Sequence, residues 1–113
     1  MFGHRDHLNL AWGLIREHGC EPAIPLMAQA IRDRAAAHGQ TGKFHATLTT
    51  VWVRLVAAHV AFHHSDEFDE FIARNAALLD KDLPLRFYSL ERLFSASARE
   101  AWVEPDREPL PAG

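Results

Sequence analysis

The segment from Phe44 to His63 most strongly constrains the fold, because its apolar residues repeat at helical spacing around a broad face. That face consists of Leu48, Val51, Trp52, Leu55, Val56 and Val60. An apolar face of this breadth is typical of a helix that packs against neighbours on more than one side. We therefore predict a helix over residues 44–63 in a central position in the core.

Two further helices are predicted before the central one. The first runs from Arg5 to His18 and ends at Gly19, and the second runs from about Pro22 to His38 and ends at Gly39. Glycine directly after the last helical residue is a common helix terminator. Each segment carries one apolar stripe at helical spacing, which is typical of a helix with a single buried face.

Shorter elements are predicted in the C-terminal half. A fourth helix is expected to begin at a cap formed by Ser65 or Asp66, and Ser89 and Ser95 are each expected to cap a further short helix. After Glu104 the chain contains three prolines, which exclude regular helix and favour an extended tail.

Together these patterns predict an all-α, single-domain helical bundle of about four main helices. Short C-terminal helices are expected to form a strap across it. The predicted boundaries are a bundle domain over residues 1–104 and a Pro-rich extended tail over residues 105–113. A chain of 113 residues is long enough for one core of this kind.

Charge and cysteine content exclude several classes of function. The net charge is −3 with histidines neutral and the basic residues are dispersed, so no nucleic-acid partner is predicted. No apolar run reaches the length of a membrane span, so no membrane partner is predicted either. Cys20 is the single cysteine, which excludes an internal disulfide and fits a cytoplasmic protein.

Three histidines form the candidate functional site. His4 and His7 lie one turn apart at the start of the first helix, and His45 begins the third. In an up-down-up bundle both helix starts lie at the same end, so the three imidazoles are expected to converge. The positive end of a helix dipole favours neutral imidazole, the form that binds metals. The sequence therefore predicts a site for a divalent transition metal (Zn, Fe, Ni or Cu) or a small-molecule ligand.

Structural roles for the same residues remain open alternatives. A His-x-x-His pair is also common at surfaces and helix caps. By position, His38 lies near the first group, whereas His59 and His63 fall at the opposite end of the bundle, roughly 21 and 27 Å along the third helix. The segment 86–102, which interleaves arginines with aromatics, is interpreted as a strap, with an anion pocket as the alternative.

Several short motifs resemble those of a group of small bacterial all-helical proteins. The motifs are Phe2–Leu8, Leu10–Trp12, Gly42–Thr49, Leu78–Asp80, Arg86–Ser89, Leu93–Ser95, Ala98–Arg99 and Trp102–Asp106. The resemblance covers most of the chain and implies a shared helical architecture and a shared histidine set. In that group the residue after the histidine of the third helix is often Glu, whereas here it is Ala46. This departure weakens the case for an enzyme.

Two hypotheses for function follow. The first is a small helical protein with a histidine-lined metal or small-ligand site formed by His4, His7 and His45 at one end of the bundle. The alternative is a non-catalytic protein-interaction domain that forms a homodimer. The sequence indicates no reaction and no substrate.

Overall fold

The computed structural model describes residues 3–111, apart from the side chain of Thr41, and within that range it contains helices and no strand. The α-helices are α1 (His4–His18), α2 (Cys20–Ala37), α3 (Ala46–Phe62), α4 (Phe68–Arg74), α5 (Leu90–Leu93) and α6 (Ala96–Glu100). Short 3₁₀ turns span Thr41–Lys43, Ala76–Leu79 and Leu83–Arg86. Phe2 and the last two residues of the predicted tail lie outside the described residues. The predicted all-α single domain is confirmed.

Helices α1, α2 and α3 pack against one another, and α3 is the most deeply buried of them. Its buried residues are Thr47, Thr49, Val51, Val53, Leu55, Val56, Ala57 and Ala58. They occupy most of the circumference of the helix, because α1 and α2 cover one side and the C-terminal segment covers another. The predicted central position of this helix is confirmed.

A single residue, Gly19, joins α1 to α2. Its backbone angles are φ 89° and ψ 169°, a combination that only glycine adopts without strain. This turn sends α2 back along α1, so that the start of α1 and the end of α2 line one surface cavity. His4 in the first turn of α1 contacts Trp52 near the start of α3, with ring centroids 4.5 Å apart. The starts of α1 and α3 therefore lie at the same end, as expected.

Predicted boundaries of three helices need correction. Helix α3 begins at Ala46, two residues later than expected. Helix α2 begins at Cys20, two residues earlier than expected, so Pro25 lies inside it and one backbone hydrogen bond is missing. The N-terminal boundary residue of α4 is Glu67, and no side chain caps that helix. The prediction that Ser65 or Asp66 caps it is wrong, because the Ser65 hydroxyl instead hydrogen-bonds to the backbone of Glu67 in a local turn.

The predicted caps of the two last helices are confirmed. The hydroxyl of Ser89 accepts a hydrogen bond from the amide of Arg92 at the start of α5, and Ser95 accepts one from Ala98 at the start of α6. Both caps satisfy amide groups that have no carbonyl partner within a short helix.

We name residues 83–111 the C-terminal strap, because they run across the bundle and close over α3. The buried hydroxyl of Thr47 donates to the carbonyl of Ala101 at 2.9 Å and accepts from the amide of Val103 at 3.1 Å. Further along, the amide of Arg107 donates to the carbonyl of Phe87 at 2.9 Å. The two Thr47 bonds attach the strap to α3, and the Arg107 bond holds the end of the strap against its beginning. None of the helices within residues 3–111 combines the length and hydropathy needed to cross a bilayer.

Candidate functional site

His45, the third member of the predicted site, is the cap of α3. Its Nδ1 accepts a hydrogen bond from the amide of Leu48 at 3.0 Å, and its Nε2 lies 2.6 Å from the carbonyl oxygen of Leu93. An amide only donates and a carbonyl only accepts, so the ring must be neutral with its proton on Nε2. The side chain is 6% exposed, and the edge of the Phe94 ring packs on it. In this structure both ring nitrogens of His45 are engaged in hydrogen bonds, so binding a metal would require one of these bonds to break.

His4 and His7 also hydrogen-bond to backbone carbonyls. Nε2 of His4 donates to the carbonyl of Leu78 at 2.8 Å, which ties α1 to the 3₁₀ turn after α4. Nδ1 of His7 donates to the carbonyl of Gly3 at 3.0 Å, at the first turn of its own helix. The two rings therefore donate from different nitrogens and contact different parts of the structure.

The three histidines do not form one ligand group. Within the described part of the chain, no group of three or more His, Cys, Asp or Glu side chains is arranged to hold a metal ion. The expected proximity of the helix starts is correct, but the strap covers His45 and separates it from the other two. The expected convergence is therefore not found, and metal binding by His4, His7 and His45 stays a prediction.

His7 instead lines a surface cavity of about 640 Å³, together with residues from the end of α2 and from the connection to α3. The polar and charged residues of its wall are His7, Arg34, His38, Gln40 and Lys43. The apolar residues are Ile31, Ala35 and Phe44. Of the described residues that line the cavity, none is acidic.

Local sequence explains how the wall of this cavity is built. Arg34 and His38 are one helical turn apart on α2, so their side chains project from the same face. Gly39 has φ 66° and ends the helix, where a residue with a Cβ is disfavoured. The chain then turns back through Thr41–Lys43, which places Lys43 opposite the end of α2.

Two arginines that do not line the cavity hold the connection between α2 and α3, residues 38–45, in place. The guanidinium carbon of Arg32 lies 4.3 Å from the centroid of the Phe44 ring, a distance typical of a cation–π contact. Arg99 of α6 donates a hydrogen bond to the carbonyl of Gly42 at 2.9 Å. The first contact holds the side chain of Phe44 and the second holds the backbone at Gly42, on either side of Lys43, and both arginines add positive charge to this end of the bundle.

The positive charge of this end affects the histidines there. Burial lowers the pKa of His7, and neighbouring His4 and Arg34 act in the same direction; the hydrogen bond to Gly3 and the charge of Asp6 oppose them without reversing the shift. Burial likewise lowers the pKa of His45, with a contribution in the same direction from Arg99. The cavity is therefore surrounded by cationic groups, although the chain as a whole carries a net charge of −3.

Two smaller cavities occur elsewhere on the described surface. One, of about 390 Å³, contains Cys20 beside Arg54 and Trp102. Burial raises the pKa of the Cys20 thiol, so it stays protonated and unreactive at neutral pH. The other, of about 370 Å³, lies at the end of α3 near His59. His59 donates to the carbonyl of Leu55 one turn earlier.

Sequence reasoning included His7 and placed His38 near it, but it missed Arg34, Lys43 and Phe44 as members of a site. The spacing of Arg34 and His38 on one helical face was a signal for their proximity. No local pattern indicated that Lys43 and Phe44 would turn back to face them.

No protein-family model matches the chain, and neither the curated proteins nor the solved structures contain a significant match to it. The resemblance to small bacterial helical proteins therefore stays a prediction, and the site is interpreted from its own geometry and charge.

Proposed function

We propose that the protein binds a small anionic molecule in the cavity between the start of α1, the end of α2 and the connection to α3. The observation that supports this proposal is the composition of the cavity wall. Arg34, Lys43, His7 and His38 line it, and the described lining residues include no acid that would neutralise them.

The two cations act on a ligand in different ways. Arg34 presents a planar fork that binds two oxygens of a carboxylate or phosphate group, whereas Lys43 is a compact point charge on a flexible stem. Both side chains are exposed, so each ion pair contributes only about 0.2–1 kcal/mol. We therefore expect weak binding, with a dissociation constant in the millimolar range or above, that weakens further as ionic strength rises.

His7 gives the site a dependence on pH. Its lowered pKa keeps the imidazole neutral at neutral pH. An anion bound nearby stabilises the imidazolium form, so binding raises the pKa of His7 and is coupled to proton uptake.

This proposal retains the small-ligand half of the hypothesis drawn from the sequence. His7 is common to both hypotheses, while residues from α2 and from the connection to α3 replace His4 and His45.

Metal binding is tested separately by elemental analysis of protein purified without a histidine tag. Stoichiometric metal that is lost in His4→Ala would support it.

The lysines offer a matched pair of variants, since Lys43 and Lys81 are the only two lysines in the sequence. Lys81 is exposed in the turn before the strap and does not line the cavity. The experiment is a titration of ¹⁵N-labelled protein with inorganic phosphate at low ionic strength, followed by NMR.

The expected result is a set of amide shift changes in residues 31–44 that saturates with phosphate. Lys43→Ala is expected to weaken binding by about threefold to fivefold, the range of one exposed ion pair, while Lys81→Ala leaves it unchanged. Shift changes spread over the whole surface, or equal affinity in the two variants, would overturn the proposal.

The alternative from the sequence, a homodimeric interaction domain, stays a prediction. The observation that favours it is the exposure of two apolar side chains of the strap, Leu90 at the start of α5 at 63% and Phe94 directly after its end at 52%. Sedimentation equilibrium tests it directly. A monomer at all concentrations would contradict it, and a dimer that is lost in Leu90→Ser would support it.

A further inference from the structure

We infer that the ligand of the cationic cavity is a phosphate monoester that carries an apolar body, such as an aryl or short alkyl group. This inference rests on the proposed function and adds to it the charge and the shape of the ligand.

The charge of the wall favours a dianion over a carboxylate. A carboxylate is matched by a single arginine fork, but this cavity also has Lys43 on the wall that faces α2. A phosphate monoester carries a charge of about −1.5 to −2 at neutral pH and has three acceptor oxygens. It can therefore bind Arg34 and Lys43 at the same time, with Gln40 as a neutral donor.

The two acids next to the wall residues in the sequence do not line the cavity. Asp33, beside Arg34, accepts a hydrogen bond from Gln29 one turn earlier on α2 at 2.7 Å. Asp6, beside His7, accepts from the amide of Gly3 at 2.9 Å, where it caps α1, and its charge partly opposes the lowering of the pKa of His7.

The size of the cavity and the apolar part of its wall favour a ligand that carries an apolar group next to the phosphate. A cavity of about 640 Å³ falls in the range of drug-sized ligands and exceeds what an inorganic phosphate ion occupies. Ile31, Ala35 and Phe44 are half-buried and form its apolar side. A ligand that covers them removes apolar surface from water, which adds a favourable contribution that the charges do not supply.

Three probes separate the two parts of the inference. Phenyl phosphate carries both the dianion and the body. Benzenesulfonate has the same phenyl ring, but its tetrahedral sulfonate group carries a single charge. Inorganic phosphate has the phosphate group without the ring. Dissociation constants are measured for all three by NMR at low ionic strength and slightly alkaline pH.

We expect phenyl phosphate to bind about fivefold more tightly than benzenesulfonate, the effect of one additional exposed ion pair. We expect it to bind about tenfold more tightly than inorganic phosphate, because the ring covers part of the apolar wall. In Lys43→Gln the preference for phenyl phosphate over benzenesulfonate should largely disappear, while Lys81→Gln should retain it. Arg34→Gln provides a second variant, and circular dichroism checks that each variant is folded.

The outcomes distinguish failure of the inference from failure of the proposed function. If all three probes bind with similar affinity and all depend on Lys43, the cavity binds anions but the inferred ligand class is wrong. If benzenesulfonate binds as tightly as phenyl phosphate, the inference that the cavity prefers a dianion is wrong. If no probe changes the shifts of residues 31–44, both the inference and the proposed function are overturned.

Discussion

The imidazole of His45 joins the start of α3 to the strap, with its Nε2 2.6 Å from the carbonyl oxygen of Leu93. On the opposite side of the ring, Nδ1 accepts from the amide of Leu48. One neutral tautomer satisfies both partners, so the side chain is at once a helix cap and a tertiary hydrogen bond. A residue expected to bind a ligand instead holds two parts of the fold together.

Replacing His45 should therefore destabilise the protein. His45→Ala removes the cap and leaves the Leu93 carbonyl without its donor, and we expect it to lower the free energy of unfolding by about 2 kcal/mol. His45→Asn keeps a side-chain oxygen that can cap the helix and should recover about 1 kcal/mol of that loss. Urea denaturation followed by far-UV circular dichroism measures both. Equal stability of the two variants would show that the cap is not what His45 contributes.

The lowered pKa of His45 also predicts how stability depends on pH. Burial holds the pKa in the folded protein below its ordinary value of 6.5, whereas the unfolded chain has the ordinary value. Between the two values the unfolded state binds more protons, so stability is fully present above about pH 6.5 and is lost as the pH falls toward the folded pKa. The midpoint urea concentration should therefore decrease over that interval.

The variant His45→Asn provides the control for this dependence. Since asparagine does not titrate, the fall in stability below about pH 6.5 should be smaller in the variant than in the wild type. His7 shifts in the same direction and is expected to supply a remaining part of the slope. Parallel pH profiles for the two proteins would assign the effect to other groups.

The helices could be predicted because their signals are local. Apolar spacing located α1, α2 and α3, and glycine marked the ends of the first two. The caps Ser89 and Ser95 act on amides three residues away, so their effect is contained in a short segment of sequence. These features do not depend on which parts of the chain later come into contact.

The site could be predicted only in part because its side chains are oriented by distant residues. The carbonyl that fixes His45 lies 48 residues further along the chain, and the one that fixes His4 lies 74 residues away. Helix topology correctly placed the starts of α1 and α3 at one end. It did not determine that the strap would cover His45, because that depends on the path of the chain after α4.

Thr47 is expected to be essential for attachment of the strap. Its side chain is fully buried, and its hydroxyl links the carbonyl of Ala101 to the amide of Val103. Thr47→Val preserves the shape but leaves both backbone groups unsatisfied, and we expect a loss of about 1–3 kcal/mol. Thr47→Ser keeps the hydroxyl and loses one methyl group, which should cost about 1 kcal/mol.

Hydrogen exchange of the Val103 amide tests this role at a single position. In Thr47→Val the amide has lost its acceptor, so its exchange should accelerate more than that of amides in the core of α3. Thr47→Ser should retain most of the protection. Unchanged exchange at Val103 in the valine variant would show that the hydrogen bond does not hold the strap.

Anion binding in the cavity should raise the pKa of His7. In the free protein burial lowers that pKa, and an anion nearby favours the charged ring. Benzenesulfonate is a suitable probe because its own charge does not change near neutral pH. The NMR titration of the His7 ring proton should move toward the ordinary value when it is bound, while an inert salt at the same ionic strength should not produce this change. A shift of equal size with the inert salt would indicate an effect of ionic strength rather than binding.

Tyr88 should titrate at unusually high pH, and it is the only tyrosine in the sequence. Burial raises its pKa to about 12, and the charge of Glu104 adds to the shift. The hydroxyl also donates to the carbonyl of Val103 at 2.6 Å, a bond that requires the protonated form. Since the unfolded tyrosine ionises near its ordinary value of 10, the stability that this group contributes is present below that pH and lost as the pH rises toward 12.

The ultraviolet absorbance of tyrosinate measures this directly, because no second tyrosine contributes. In the folded protein the absorbance change should have its midpoint about two pH units above that of the same protein in concentrated urea. Tyr88→Phe should lower the free energy of unfolding by about 1 kcal/mol at neutral pH, since Val103 loses a donor. It should also remove the part of the alkaline loss of stability that begins near pH 10. A folded-state midpoint equal to that of the unfolded chain would show that the strap does not bury this hydroxyl in solution.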